Sequence, residues 1–305
     1  MNKAIIAMDK SGSFRVYLAI TTSMVEEARQ IHDTTPLGTA AMGRVLTAAG
    51  LMGLMLKNQK DKLTMQFKGD GPAREILATA NADGKVKGYI SNPDVDLPLK
   101  ANGKLDVGSA LGIGTVTVIK DLGLKEPYVG RIELVNGEIA EDLTAYFFVS
   151  EQQSSSVALG VRVDTDLSVA AAGGMIIQML PGADMASVDA LEPLLDQMIP
   201  ISTLVEEVTR EGVGKTEEAI MEDLLNKIFA PMPEQFEVIA KETRDIGWEC
   251  DCSTERLEKA LMSIGVQDMR TILEEDGEAE LTCQFCRKKY HFDREHLERL
   301  LEEML

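Results

Sequence analysis

Cysteine is absent from the first 249 of the 305 residues, and aromatic side chains make up only 5% of the chain, with a single tryptophan. Basic residues are fewer than acidic ones. The chain contains 31 lysines and arginines and 50 aspartates and glutamates, which gives a net charge of −19. A surface this acidic repels phosphate backbones and anionic lipid headgroups. We therefore expect no unassisted binding to nucleic acid and none to membranes.

The sequence also has no long hydrophobic run. The longest apolar stretch, residues 46–56, is interrupted by Gly50 and Gly53 and is well short of the roughly 20 residues that a membrane-spanning helix needs. The first residues contain Asp9 and Lys10, which break the apolar core that a secretory signal would have. We therefore expect a cytoplasmic protein, in whose reducing environment thiols bind metals or carry out redox chemistry.

The first part of the chain, residues 1–180, has the pattern of an N-terminal α+β domain with an antiparallel sheet. Alternating or β-branched apolar residues predict strands, and helical spacing of apolar residues predicts helices. A segment rich in small apolar residues, which includes Gly173 and Gly174, is predicted to be a buried helix. The predicted strands are 14–20, 63–67, 115–119, 130–134 and 158–163, and the predicted helices are 23–31, 39–56 and 170–180.

Residues 181–231 form a predicted helical linker that is rich in acidic side chains. Its apolar residues form a stripe that Gly212 and Gly214 interrupt, and a glycine inside a helix costs about 1 kcal/mol relative to alanine. We therefore expect a metastable segment that is helical only while its stripe is docked on another surface; the alternative is an ordinary connection between two domains. The predicted docking face consists of Leu204, Val208, Ile220, Leu224, Leu225 and Ile228.

Residues 232–305 form a predicted small C-terminal domain with few large apolar side chains. Pro233 predicts the start of a helix that continues to about Arg244, and Ser253 is the predicted N-cap of a second helix. A predicted strand leads to Cys283. A core this small is marginal without a further source of stability, such as a bound metal.

The four cysteines form two closely spaced pairs, a Cys-x-Cys and a Cys-x-x-Cys. Two such pairs suit a tetrahedral Zn²⁺ site, in which Zn–S distances are about 2.3 Å and sulfur atoms lie roughly 3.8 Å apart. Structural zinc contributes roughly 10–16 kcal/mol to the folding of small domains, and we expect one zinc ion per chain. The predicted ligands are Cys250, Cys252, Cys283 and Cys286, with His291 and, less favoured, His296 as alternative donors.

Two features favour a redox switch over a constitutive structural zinc site. A disulfide between Cys250 and Cys252 would close a small, strained ring that is easily reduced again. Oxidation of the thiolates would also remove the metal and with it the stability of the domain. The basic residues 287–289 are expected to favour the thiolate form of Cys286.

Three other classes of protein fit the sequence less well. A thiol–disulfide oxidoreductase would carry its Cys-x-x-Cys at a helix N-terminus, whereas Cys283 follows a predicted strand. The motif GVGKT at 212–216 lacks the first glycine of a P-loop and lies between two helical patterns. A zinc ribbon that binds nucleic acid is disfavoured, because residues 241–305 hold ten basic and seventeen acidic groups. We expect no enzymatic activity.

The spacing of C-x-C, thirty residues and C-x-x-C near the C-terminus resembles that of the redox-regulated 33 kDa chaperonin, or heat shock protein 33, family. The resemblance extends over the whole chain. It includes MGRVLTAAGLMGLML at 42–56, YFFVSEQQSSSVALGV at 146–161 and AAGGMIIQMLPGA at 171–183.

This resemblance implies an ATP-independent holdase chaperone that is inactive when reduced and zinc-bound. Oxidative stress is then expected to form the disulfides Cys250–Cys252 and Cys283–Cys286, to release zinc and to unfold the linker and the C-terminal domain. The exposed surface would bind unfolding client proteins and prevent their aggregation. The resemblance further implies a homodimer in the oxidised form and a hand-over of clients to ATP-dependent foldase chaperones.

Overall fold

The computed structural model describes all 305 residues, and the chain forms two compact units, Met1–Trp248 and Glu249–Leu305. The first unit contains two mainly antiparallel sheets and seven helices, and the second contains a two-stranded hairpin and three helices. The predicted α+β class is therefore confirmed. None of the ten helices combines the length and the hydropathy that crossing a lipid bilayer requires.

The strands of the first unit form a five-stranded and a six-stranded sheet. They are β1 (Lys3–Asp9), β2 (Phe14–Ile20), β3 (Lys62–Gly69), β4 (Glu75–Asn81), β5 (Lys85–Ile90), β6 (Gly114–Asp121), β7 (Tyr128–Glu133), β8 (Ser155–Val163), β9 (Val169–Met179), β10 (Val238–Asp245) and β11 (Gly247–Trp248). The spatial order is β10-β1-β2-β9-β8 in the first sheet and β11-β5-β4-β3-β6-β7 in the second.

The helices of the first unit are α1 (Thr22–His32), α2 (Pro36–Gly53), α3 (Val107–Leu111), α4 (Ala140–Ser150), α5 (Met185–Asp196), α6 (Ile201–Glu211) and α7 (Glu217–Phe229). Helix α2 is buried along almost its whole length, because it packs against strands of both sheets. Gly50 makes room for this packing, since a Cβ atom there would lie 2.5 Å from Cδ1 of Ile246.

Strand β9 replaces the helix that was predicted at 170–180, and that prediction is wrong. A run of small and branched apolar residues suits a strand buried on both faces as well as a buried helix, so periodicity alone does not separate them. Here the run lies between β2 and β8. Gly173 is required by close packing on one face, because a Cβ atom there would lie 2.9 Å from Cγ2 of Val205 on α6.

The helix predicted from Pro233 to Arg244 is also wrong. Only Glu234–Phe236 forms a short 3-10 turn, and the following residues form strand β10, which pairs with β1. Residues 232–248 therefore belong to the first compact unit, whereas the predicted C-terminal domain begins at residue 232. The division of the chain into residues 1–180, 181–231 and 232–305 as functional parts stays a prediction.

The two glycines of the predicted linker lie outside its helices. Gly212 is the C-cap of α6, and Gly214 lies in the turn before α7 with φ of 90°. The helix penalty that we attributed to both residues therefore does not apply, because neither interrupts a helix. They instead allow the tight turn that lets α6 and α7 pack side by side.

The second unit consists of α8 (Thr254–Met262), α9 (Val266–Glu275), β12 (Ala279–Thr282), β13 (Lys289–Phe292) and α10 (Arg294–Glu303). Ser253 caps α8 as predicted, since its hydroxyl accepts a hydrogen bond from the Arg256 N–H. The core is small, and one of its eight buried residues is Cys283. These are Leu261, Met269, Leu273, Cys283, Tyr290, Phe292, Leu297 and Leu300.

Candidate metal centre

The four cysteine sulfur atoms converge at one point of the second unit, where all of them lie within 4.8 Å of one another. Two of them come from the extended segment before α8 and two from the turn between β12 and β13. The Sγ atoms of Cys250 and Cys283 are 3.8 Å apart, and those of Cys252 and Cys286 are 3.3 Å apart. In a ZnS₄ tetrahedron, neighbouring sulfur atoms lie roughly 3.8 Å apart. The two measured sulfur–sulfur distances are similar to this value, so the four cysteines fit a four-thiolate metal site.

The turn that carries the second pair is shaped by backbone hydrogen bonds. The Cys283 N–H donates to the Lys288 carbonyl at 2.9 Å, and the Arg287 N–H donates to the Cys283 carbonyl at 2.8 Å. Arg287 has φ of 59°, in the left-handed region that tight turns use. The hairpin register aligns Thr282 with Lys289 immediately beside it.

Tyr290 contributes a polar side chain beside the sulfur atoms. Its hydroxyl donates a hydrogen bond to Sγ of Cys252 at 3.1 Å, and its ring lies 4.9 Å from Nζ of Lys288. The site residues proposed from the sequence did not include Tyr290. The alternation in β13, which buries Tyr290 and Phe292 beside the cysteine turn, is the signal that could have identified it.

Cys250, Cys252 and Cys286 differ in acidity. Burial raises the pKa of Cys250 and also that of Cys286. Burial acts in the same direction on Cys252, but the hydrogen bond from Tyr290 and those from neighbouring thiols outweigh it and lower the pKa of Cys252 to about 7. Cys252 therefore supplies a thiolate more readily than Cys250 or Cys286.

The expectation that the basic run beside Cys286 favours its thiolate is wrong, since burial raises the pKa of this thiol. The basic side chains have other partners, because Lys289 pairs with Glu280 at 2.8 Å and Lys288 lies over the Tyr290 ring. His291, the alternative donor, is exposed and lies 3.5 Å from a carboxylate oxygen of Glu278.

Replacing Tyr290 with phenylalanine is expected to lower the affinity of the site for zinc about tenfold. The ring and its packing are kept, while the hydrogen bond that stabilises the Cys252 thiolate is lost. Competition with a chromophoric chelator measures the affinity. Tyr128→Phe is the matched control, because the Tyr128 hydroxyl bonds to Ser150 in the first unit. Equal affinities of the two variants would contradict a role for Tyr290 in holding the site.

The predicted linker residues form the second candidate site, which lies in the first unit. All six predicted docking residues are buried, and they share one apolar cluster with side chains of β1, β2 and β9. Phe229 stacks on Phe14 with ring centroids 6.3 Å apart. Val205 and Met221 are equally buried in this cluster but were absent from the predicted face.

Ion pairs at the edges accompany this apolar contact. Lys3 on β1 pairs with Glu218 on α7 at 3.0 Å, and Arg162 on β8 pairs with Glu206 on α6. Helices α6 and α7 thus cover one face of the first sheet, whose other face packs against α2.

Comparisons with known proteins agree over nearly the whole chain. The model of the family described as Hsp33 protein matches residues 2–293. A 33 kDa chaperonin from Alkaliphilus oremlandii is 47% identical over 100% of this chain and 97% of that relative. One from Clostridium perfringens strain 13 is 48% identical over 99% of this chain and 91% of the relative.

Among solved structures, the 33 kDa chaperonin of Thermotoga maritima matches with a TM-score of 0.85. It is 34% identical in sequence, and the match covers 99% of this chain and 98% of that one. The matching family is a chaperone family, and the curated relatives are named as chaperonins. Membership of a chaperone family implies that the chain binds unfolded client proteins. With the sequence, the fold and the cysteine cluster in agreement, the chain belongs to the Hsp33 family.

Proposed function

We propose that this chain is a redox-regulated, ATP-independent holdase of the cytoplasm, inactive when reduced and activated by oxidative stress. The observation that carries the proposal is the apolar face of the first sheet. Phe14, Val16 and Leu18 on β2 are completely buried, and this face is covered by α6 and α7 of the linker. A chain that releases these helices presents a large apolar surface to unfolding proteins.

In the reduced form we expect one zinc ion per chain, held by Cys250, Cys252, Cys283 and Cys286. Bound Zn²⁺ would act as a structural cross-link between the segment before α8 and the turn after β12. The core of the second unit is small, so the fold of this unit depends on that cross-link. Tyr290 and the backbone of the turn orient the sulfur atoms.

Oxidation removes the ligands from the metal. Two thiolates lose two electrons and form one disulfide, and one hydrogen peroxide takes up these electrons with two protons to give two water molecules. The expected disulfides, Cys250–Cys252 and Cys283–Cys286, follow from the family resemblance. Sulfur contacts also join Cys250 to Cys283 and Cys252 to Cys286, so disulfide mapping is part of the test.

Loss of the cross-link is expected to unfold the second unit and to loosen the linker. The exposed surface then binds unfolding clients and prevents their aggregation. We also propose that the oxidised chain forms a homodimer and passes its clients to ATP-dependent foldase chaperones.

Zinc content and suppression of client aggregation, measured on the same samples before and after peroxide, test the proposal. We expect stoichiometric zinc without suppression in the reduced protein, and zinc release with suppression after oxidation. A constitutive structural zinc protein would show no gain of suppression. A thiol–disulfide oxidoreductase would reduce insulin disulfides catalytically, with no dependence on zinc loss.

Replacing Gly212 and Gly214 together with alanine is expected to make activation easier. A Cβ atom at Gly212 would lie 2.6 Å from Cγ1 of Ile220 and 2.8 Å from the Val208 carbonyl oxygen, and alanine is strained at the φ of Gly214. The left-handed backbone at residue 214 alone costs alanine about 1–2 kcal/mol. Because this strain exists only while the turn between α6 and α7 is formed, it weakens the docking of the two helices. The onset temperature of aggregation suppression by the oxidised protein should fall, whereas Val213→Ala should leave it unchanged. A higher onset in the double variant would contradict this.

A further inference from the structure

We propose that the edge of β1 is a strand-pairing site for extended apolar segments of client proteins, freed when β10 leaves. The inference rests on the proposed function, because it requires that oxidation loosens the linker. It gives the protein a second way to bind clients, in addition to the apolar face of the first sheet, because a strand edge binds a partner through backbone hydrogen bonds.

The edge segment, residues 238–248, lies along both sheets of the first unit. Strand β10 pairs antiparallel with β1, and β11 pairs parallel with β5. Between them, Ile246 is buried beside Gly50 and Val86. Cys250, the first candidate zinc ligand, follows the segment after one intervening residue. The strand that closes the β1 edge is therefore connected directly to the part of the chain that oxidation alters.

The pairing between β1 and β10 is mismatched in the middle of the strands, although Met8 lies opposite Ile239 and Ala7 opposite Ala240. Ile6 lies opposite Glu242, and Ile5 lies opposite Thr243, so apolar residues face polar ones. A register shift between Ile6 and Ala7 leaves Lys241 without a cross-strand partner. Because opposite apolar pairs stabilise sheets and mismatched pairs do not, β10 is a replaceable partner for β1.

The contacts that hold β10 depend on the docked linker. Val238 is buried in the same apolar cluster as Phe229 of α7. Lys3 pairs with Asp245 at 2.8 Å and with Glu218 of α7 at 3.0 Å. The helix and the strand thus share one apolar cluster and one cation. When α7 undocks, β10 loses the packing over Val238, and the middle of the strand is left with its mismatched pairs.

The chemistry of β1 identifies the occupant. Strand β1 reads KAIIAMD, and its free edge would offer unpaired backbone groups beside Ile5 and Ile6. An extended segment rich in β-branched apolar residues pairs better with these side chains than β10 does. Such segments are buried in folded proteins and exposed in unfolding ones. A second copy of this chain is a poorer partner at this edge, because the β10 strand that it could offer carries the same polar residues opposite Ile5 and Ile6.

Hydrogen exchange of the Lys3–Asp9 amides tests the proposal, with reduced and carboxymethylated α-lactalbumin as the unfolded probe. Oxidation should speed exchange about tenfold or more at the β1 amides that point to β10, and the probe should slow it again by a similar factor, whereas the β1 amides that point to β2 should stay protected. Amides of β8, at the other edge of the sheet, serve as the internal control.

Three results would overturn the proposal while leaving the holdase function intact. The oxidised protein could suppress aggregation with β1 still protected before the probe is added, which means that β10 stays in place. It could hold the probe with β1 unprotected, which means that clients bind elsewhere. The β1 amides could also become protected without the probe, to an extent that rises with the concentration of the chaperone. That result would mean that a second copy of the chain binds the edge. Failure to suppress aggregation at all would instead refute the proposed function.

A variant pair provides an independent test. Glu242→Val with Thr243→Val gives β10 apolar partners for Ile6 and Ile5, so the native edge should open less. We expect at least about threefold less probe captured at equal zinc loss. Lys241→Val adds the same side chain at the position without a cross-strand partner and should capture as much as the wild type. Equal capture by the double variant and the wild type would refute the role of β10.

Discussion

Replacing Cys286 with serine is expected to abolish stoichiometric zinc binding and to unfold Glu249–Leu305. The Cys286 sulfur is one of four that lie within 4.8 Å of one another, and a serine hydroxyl is a poor substitute for a thiolate ligand of zinc. Structural zinc supplies roughly 10–16 kcal/mol to domains of this kind. The eight-residue core of the second unit cannot replace a contribution of that size.

Elemental analysis of the purified variant measures zinc, and hydrogen exchange of α8–α10 measures the fold. His291→Ala is the matched control, because His291 is the other donor near the turn but lies exposed beside Glu278. It should keep full zinc and full protection. A Cys286→Ser protein with one zinc per chain would refute the four-thiolate site.

Replacing Leu224 with aspartate is expected to give a chaperone that is active while reduced and zinc-bound. Leu224 is completely buried between α7 and the first sheet. Removing a side chain of this size from a core costs about 2–5 kcal/mol, and placing an unpaired carboxylate there adds a further penalty. Together, these two costs exceed the free energy that keeps α7 docked, so α7 should leave the sheet although the four thiols are unchanged.

Suppression of aggregation under reducing conditions, with zinc followed in parallel, measures this effect. Asn226→Asp is the matched control, since it adds the same charge to the exposed side of α7. It should stay inactive until oxidised. If Leu224→Asp folds, keeps its zinc and remains inactive when reduced, linker docking does not restrain the chaperone and the metal site alone controls it.

Local patterns were sufficient for much of this molecule. Capping by Ser253 depends on neighbours within three residues, and the spacing of Cys250, Cys252, Cys283 and Cys286 is itself a local ligand pattern. The sequence therefore indicated four candidate ligands, which the structure brings together in one cluster. The stripe on α6 and α7 was visible for the same reason, because helical periodicity shows which side chains share one face.

The partners of these elements could not be found in the same way. Tyr290 bonds to Cys252 only because the β12–β13 hairpin brings it there, and nothing in the spacing of the cysteines indicates that contact. The roles of Gly212 and Gly214 also depended on where α6 ends, since a glycine outside a helix carries no helix penalty.

The sequence by itself determined the α+β class, the grouping of the cysteines into two closely spaced pairs and the apolar stripe on α6 and α7, because each follows from short-range periodicity or spacing. Only the tertiary structure decided that 170–180 is a strand between β2 and β8 and that 238–245 pairs with β1. Both segments take their conformation from strands distant in the chain, which supply the backbone hydrogen bonds. An apolar run suits a buried helix or a buried strand equally well, and a polar run becomes an edge strand only where an open edge is available.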